Sequence, residues 1–284
     1  MSTVQITEYS DPACPFAWSA EPSRRRIEWL YGDGLRSSPR MVGLHRSGEE
    51  MEREGVTVEM LAATQAKLAH AHHMPMQTAP RERLAGSLAA CRAVVAVRLH
   101  EPARERAMLR ALRVLNFSGR QLDEPGTLGE GARRAGVDPD ALQGWMRDPD
   151  TERALDGDMA AARQPSPQAL ALASKLAATD DGGHRYTCPS WELTRGEDTV
   201  AVPGFQPLAA YEIAIANLAP ELARRDDPDD VGEVLAWAGE PLATAEVAAV
   251  CAIDLEDARE RLGHVATEEH VGFDGLWSLH SDLI

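Results

Sequence analysis

One turn near the start limits what this 284-residue chain can fold into. The run Tyr9-Ser10-Asp11-Pro12-Ala13-Cys14-Pro15-Phe16-Ala17-Trp18 joins two segments of different periodicity. Before it, Val4 and Ile6 alternate with polar residues over 3–10, the pattern of a strand. After it, Ile27, Leu30 and Tyr31 recur at helical spacing within 18–31, behind three arginines at 24–26. Gly32-Asp33-Gly34 is a strong breaker. Leu35, Met41, Val42 and Leu44 then read as a second strand over 35–45, interrupted by Ser37-Ser38-Pro39. The chain opens strand–helix–strand, with a cysteine on the first strand-to-helix turn. Free N–H groups and positive potential at a helix start both favour a thiolate and draw a cysteine pKa below ~8.5. A dithiol redox motif is Cys-x-x-Cys, and here the second position is Ala17.

Bulk properties narrow the function classes. The formal net charge is −16 and the hydrophobic content 44%, enough for a sizeable core and a soluble surface. That charge disfavours nonspecific nucleic-acid binding and anionic membranes. Residues 1–30 carry charges throughout and lack a secretory pattern. No run of ~20 apolar residues predicts a membrane span. Cytoplasmic localisation is the expectation. The four cysteines, at 14, 91, 188 and 251, are scattered. In a reducing compartment they are reactive or buried thiols rather than a disulfide framework.

Residues 55–178 are almost wholly helical in pattern. Segments 56–72, 83–99, 102–115, 127–135, 138–146, 151–163 and 166–178 each read as a helix, with Asp138-Pro139 as N-cap and first residue. Sheet signals return after the turn Asp180-Asp181-Gly182-Gly183. Arg195-Gly196-Glu197-Asp198 reads as a hairpin turn with 199–202 as its return strand. Leu208–Leu218 is a helix, and 225–230 is a charged linker. Helices over 230–238, 242–250 and 255–267 follow, then a hairpin in 270–279 with an Asp274-Gly275 turn.

The Cys14 turn resembles the active-site turn of DsbA-family thioredoxin-like proteins, and more closely their FrnE-like cytoplasmic branch of dithiol–disulfide isomerases. Ser10, Asp11, Pro12, Cys14, Pro15 and Trp18 carry the likeness; Ala17 departs from it. Val202-Pro203-Gly204-Phe205-Gln206-Pro207 resembles the family's link between last strand and last helix. The resemblance spans about residues 3–220. It implies an α/β fold: a thioredoxin-like core (1–220) split by a helical insertion (55–178). Residues 230–284 resemble a small α+β winged helix-turn-helix unit.

The resemblance implies that Cys14 is a nucleophile. It places Thr187-Cys188-Pro189 on the family's cis-proline loop, beside the active cysteine. Cys188 is then the candidate to resolve a mixed disulfide at Cys14, the step that Ala17 cannot perform. Pro15, Phe16, Ala17, Thr187 and Pro189 are the expected substrate-binding residues. The function implied is a thiol oxidoreductase acting on protein disulfides or small electrophiles, with a low-molecular-weight thiol as co-substrate and no metal or other cofactor. A homodimer is compatible with it. Two alternatives stay open. One is a thiol-dependent transferase or isomerase, similar to kappa-class glutathione transferases and hydroxychromene-carboxylate isomerases, which use one hydroxyl or thiol at this turn. The other is a redox-inactive scaffold that binds a protein partner.

Other features give weaker leads. Cys91 and Cys251 lie on apolar helix faces and read as core. His70, His72 and His73 lack the spacing of a zinc site and read, with Met74, Met76 and His45, as groove residues. Residues 221–284 hold 16 acidic and 4 basic residues, a poor surface for DNA. No GxGxxG, Walker or GxSxG motif is present.

Overall fold

A computed structural model describes residues 3–179 and 181–280. Strand β1 (Val4–Ser10) runs to the Cys14 turn and helix α1 (Pro15–Ser19). The expected single helix is two pieces: Ala20 separates α1 from α2 (Glu21–Tyr31), which takes Pro22 in its first turn. Proline is tolerated there because no intrahelical N–H is lost. Strand β2 (Leu35–Met41) is shorter than expected and uninterrupted. It lies at the sheet edge, where Pro39 is tolerated.

The helical block follows: α3 (Gly48–Arg53), α4 (Val58–His72), α5 (Leu88–His100), α6 (Glu105–Phe117), α7 (Pro125–Arg134), α8 (Pro139–Trp145), α9 (Pro149–Ala162) and α10 (Pro167–Leu170). Asp138 caps α8 through its side chain, as its sequence context predicts. The expected helix over 166–178 is cut to four residues at Leu170; a 3-10 turn over Ala173–Lys175 follows, and Ala177–Ala178 (β3) pairs with His184–Arg185 (β4). Asp180, in the expected turn, lies outside the described residues.

Strands β5 (Ser190–Arg195) and β6 (Asp198–Val202) form the expected hairpin, and α11 (Leu208–Leu218) follows. The sheet order is β2-β1-β5-β6, with β1 and β2 parallel and the other pairs antiparallel. This is a thioredoxin-like mixed sheet with helices inserted between its two halves. Apolar residues of β1, α2, β5 and α11 share one core cluster that includes Ile6, Ile27, Leu193 and Ile215. The inserted helices α5 to α9 build a second around Met41, Val94, Leu112 and Leu155.

The C-terminal unit has the order α12 (Val231–Ala238), β7 (Leu242–Ala243), α13 (Thr244–Cys251), α14 (Leu255–Val265), β8 (Ala266–Val271), β9 (Asp274–Leu279), with its small sheet ordered β7-β9-β8. The hairpin turn is Gly272-Phe273 rather than Asp274-Gly275, since Val271 pairs with Asp274. Gly272 has φ +65°, and a Cβ there would lie 2.0 Å from the Met76 carbonyl oxygen. Val234, Leu242, Val247, Leu262 and Trp277 join the same apolar cluster as the main sheet. The intervening chain is pinned on α2. Trp29 donates to the Asp226 carbonyl at 2.8 Å, and the Arg225 guanidinium lies 3.5 Å from the Trp29 ring centre. Among the described residues, no helix is long and apolar enough to cross a membrane.

Candidate active site

The site begins where β1 ends. Pro12 and Pro15 flank the turn, and Cys14 is the residue before α1, with φ −73° and ψ 114°. Its backbone N–H reaches back to the Asp11 carbonyl at 3.2 Å, and its carbonyl takes the Trp18 N–H at 3.1 Å. This leaves the sulfur over the first helical N–H groups. Phe16 projects into solvent, 42% exposed, whereas Cys14 is 4% exposed.

The second loop arrives just before β5. The Cys188–Pro189 peptide is cis. As a thiol, Cys14 approaches the Cys188 carbonyl oxygen with its Sγ at 3.3 Å, across 174 positions of sequence. As a thiolate it accepts from the Cys188 S–H and from the N–H groups of Ala17 and Phe16. The donors win: the Cys188 hydrogen bond, more than burial and the nearby Asp11 charge, sets the direction, and the Cys14 thiol is pulled below its ordinary value. Cys188 is driven the opposite way, well above the usual thiol range, by its bond to Cys14 and by burial. Both cysteines are free and buried, and the opposite shifts make Cys14 the more acidic of the pair.

Asp11 holds the turn. It is fully buried. One carboxylate oxygen takes the Ala13 N–H at 2.8 Å. The other takes the Leu44 N–H at 2.9 Å, the Ser87 hydroxyl at 2.7 Å and the Cys91 thiol at 3.4 Å. The end of β1, the chain after β2 and the start of α5 therefore meet on one side chain. Cys91 is in the apolar core as expected, yet it also belongs to this polar knot. The turn sequence singles out Asp11 but not its role, because apart from Ala13 its partners lie 33 to 80 positions away.

Ala17, expected to meet substrate, is buried. With Glu8, Glu21, Pro189, Trp191 and Tyr211 it lines a cavity of about 10 Å³, room for about one water. Pro189 is likewise buried. Thr187 is partly exposed and donates its hydroxyl to the Lys175 carbonyl at 2.8 Å. Pro15 is partly exposed beside Phe16. The His72 ring sits 4.7 Å from Phe205, which packs 6.2 Å from Phe16. Burial draws the His72 imidazole below its ordinary value. His45 lies 3.5 Å from the Glu54 carboxylate. Cys251 is half-buried in the C-terminal unit, and burial pushes its thiol up to about 11. Among the described residues, no group of three or more His, Cys, Asp or Glu is placed to hold a metal ion.

Trp18 ties the site to its surroundings. Its indole N–H donates to the Pro75 carbonyl at 2.9 Å, its ring stacks on Phe117 at 5.5 Å, and the Arg110 guanidinium lies 4.5 Å from its centre. The segment it holds, Met74–Met76, is the one that Gly272 of the C-terminal hairpin touches.

A cysteine at the strand-to-helix turn of a β-α-β unit, facing a cis-proline loop, defines a thioredoxin-like protein. A profile of the DSBA-like thioredoxin domain matches residues 5–166. The chain belongs to that family. Solved structures repeat the fold. A candidate protein disulfide isomerase from Nitrosomonas europaea superposes with a TM-score of 0.60 at 15% identity, over 77% of this chain and 98% of its own. A candidate DsbA oxidoreductase from Streptomyces coelicolor gives 0.55 at 20% identity, over 80% and 94%. The cytosolic disulfide reductase DsbM from Pseudomonas aeruginosa gives 0.54 at 16% identity, over 75% and 99%. No curated protein matches the sequence.

Proposed function

We propose that this chain is a thiol–disulfide oxidoreductase in which Cys14 is the nucleophile and Cys188 resolves the mixed disulfide. The observation that carries the reading is the meeting of two free, buried cysteines across 174 positions, the Cys14 Sγ lying 3.3 Å from the Cys188 carbonyl oxygen, with the Cys14 thiol lowered and the Cys188 thiol raised. The Cys14 thiolate attacks a substrate disulfide RS–SR′. A Cys14–SR bond forms, the S–S bond breaks, and R′S⁻ leaves with the electron pair. Cys14 is now neutral, so the contact that chiefly held the Cys188 proton is gone. Cys188 gives its proton to the released R′S⁻ and attacks the Cys14 sulfur, which closes a Cys14–Cys188 disulfide and expels RS⁻. Two electrons have passed from the thiol pair to the substrate. Two molecules of a low-molecular-weight thiol restore the pair and leave as their own disulfide.

Pro15, Phe16 and Thr187 are the substrate-facing residues in this reading, with Pro189 fixing the loop behind Cys188. Ala17 acts only by keeping a second sulfur out. A cytoplasmic setting suits four unpaired cysteines, and the likeness to a cytosolic reductase is compatible with it. We read 1–220 as the catalytic domain and 230–284 as a winged-helix-like unit. The acidic surface of that unit suits docking of another protein surface better than nucleic acid.

The test is intact-mass analysis after exposure to oxidised glutathione. The wild type is expected to end two hydrogens lighter, as the Cys14–Cys188 disulfide. Cys188→Ala is expected to stop one glutathione heavier, and Cys14→Ser to remain unmodified at the site. Wild type and Cys188→Ala both ending with one glutathione on Cys14 would sink the pair. That outcome would favour the transferase reading, which the lone cysteine opposite Ala17 supports.

A further inference from the structure

Away from the cysteines, a cavity of about 510 Å³ opens where α2, α6, the end of α7 and the end of α12 meet. That volume is typical of a small-molecule site. Eight of its sixteen lining residues are arginines. The chain has 27 arginines in 284 residues, two of its 29 basic residues being lysines. A lining of this size drawn at random would hold one or two. In a chain of net charge −16, such a concentration is set by position rather than by composition.

The arginines divide into a floor and a rim. Arg24, Arg25, Arg110 and Arg113 form the floor and are buried. They pair with Glu8, Glu21, Glu28, Glu240 and Glu246, and Arg106 joins the same set through Glu8 and Glu28. Five arginines meet five glutamates there, so the floor is neutral. Arg133 and Arg134 share one carboxylate, that of Glu130, and contribute a surplus charge. They also end α7, where they offset its negative pole. The Arg104 guanidinium has no hydrogen-bond or ion-pair partner among the described residues. It lies against Gly136, where a Cβ would come within 3.4 Å and where φ is +72°. The surplus is two positive charges. The floor also keeps two buried donors unspent, since Arg110 Nε and Arg113 Nε lack partners among the described residues.

We propose that this pocket binds a small molecule carrying a phosphate dianion. Two surplus guanidinium charges match one dianion, and the planar fork of N–H groups suits phosphate oxygens. The cavity exceeds what a bare phosphate fills, which leaves room for a body against Ala107, Leu109, Ala135 and Ala238. Among the described residues no aromatic side chain lines it, so it has no platform for a stacked nucleobase, and a compact phosphate monoester fits it better than a nucleotide. The ligand would bridge the insertion, the main domain and the C-terminal unit. This site is independent of the reading given to Cys14 and Cys188.

Thermal unfolding of the full chain tests it, with inorganic phosphate and ribose 5-phosphate titrated against sodium chloride at matched ionic strength. Ribose is the neutral control. The wild type is expected to gain a saturable rise in melting temperature of about 2–5 °C at tenfold the dissociation constant, with ribose 5-phosphate saturating at lower concentration. Arg104→Ala combined with Arg134→Ala, both on the exposed rim, is expected to keep the ligand-free melting temperature and lose the rise. Arg153→Ala, on an exposed face of α9, is expected to keep it. The same rise in the double variant, or no saturable rise with either phosphate in the wild type, overturns the proposal.

Discussion

Cys14 and Cys91 are both buried thiols beside the same carboxylate, that of Asp11, and they have opposite chemistry. Cys91 donates to Asp11 and lies among Val94, Val95 and Leu112, so burial first, then the Asp11 charge and the hydrogen bond to it, push its thiol well above the ordinary range. Cys14 feels the same charge at the end of a turn that offers it three donors: the Cys188 S–H and the Ala17 and Phe16 amides. Burial alone makes a thiol inert. Reactivity here is decided by whether the surroundings give hydrogen bonds to the sulfur or take one from it.

Removing the shared carboxylate breaks the comparison most severely. Asp11→Ala strips a partner from the Ala13 and Leu44 N–H groups and from the Ser87 hydroxyl, donors that meet at a fully buried residue. Each orphaned donor costs about 1–3 kcal/mol. Urea unfolding should show a loss of roughly 3–5 kcal/mol, near the upper end for single substitutions. A loss below about 1 kcal/mol would mean that the turn is held by its prolines rather than by Asp11.

The next perturbation separates the two sulfurs. Cys188→Ala removes the largest influence lowering the Cys14 thiol. The pH profile of Cys14 alkylation should move upward in the variant, with little change in stability because one small apolar side chain replaces another. An unmoved profile would assign the thiolate to the helix-start amides alone.

Much of this was legible because it is local. The β1–turn–α2 opening, the Arg195–Asp198 hairpin and α11 follow from alternation, a glycine turn and helical spacing. The candidate nucleophile was readable for the same reason, since Cys14 lies between two prolines at a change of periodicity. Its partner was not readable from spacing. Cys188 came from family resemblance, and only the folded chain brings it to Cys14. The knot around Asp11 leaves no trace in the sequence, because Leu44, Ser87 and Cys91 read as an ordinary strand residue, helix residue and core residue. The same holds for the arginines at 24–26. Arg25 meets Glu240 and Glu246 from more than 200 positions away, and pairings at that distance have no period. Local propensity misleads over 166–178: the Ala- and Leu-rich run suits a helix, yet the helix stops at Leu170 and the chain turns into β3 at Ala177. In the C-terminal hairpin, Asp274 is held by Thr244 and Arg259, which takes Asp-Gly out of the turn and leaves Gly272 to supply the positive φ.

The smallest effect sharpens the comparison through pH. The Cys91 thiol is raised well above the ordinary thiol value of about 8.5 in the fold, so its neutral form is the native one. Below that ordinary value, folded and unfolded chains both hold the proton, and the contribution to stability is fully present. Above it, the unfolded chain releases the proton while the folded chain retains it. Stability must therefore fall as pH rises from about 9 toward the folded value, by about 1.4 kcal/mol per pH unit for one proton. Cys188 adds a fall of the same sign. Cys14, lowered in the fold, works oppositely: its contribution is present above the ordinary thiol value and is lost as pH falls through the folded one. Cys91→Ala should thus flatten the alkaline limb of a urea-stability profile by about one proton, whatever it does to the height of the curve. Cys14→Ala should leave the Cys91 share of that limb in place. If Cys91→Ala leaves the slope above pH 9 unchanged, Cys91 ionises as easily folded as unfolded, and the contrast between the two thiols is lost.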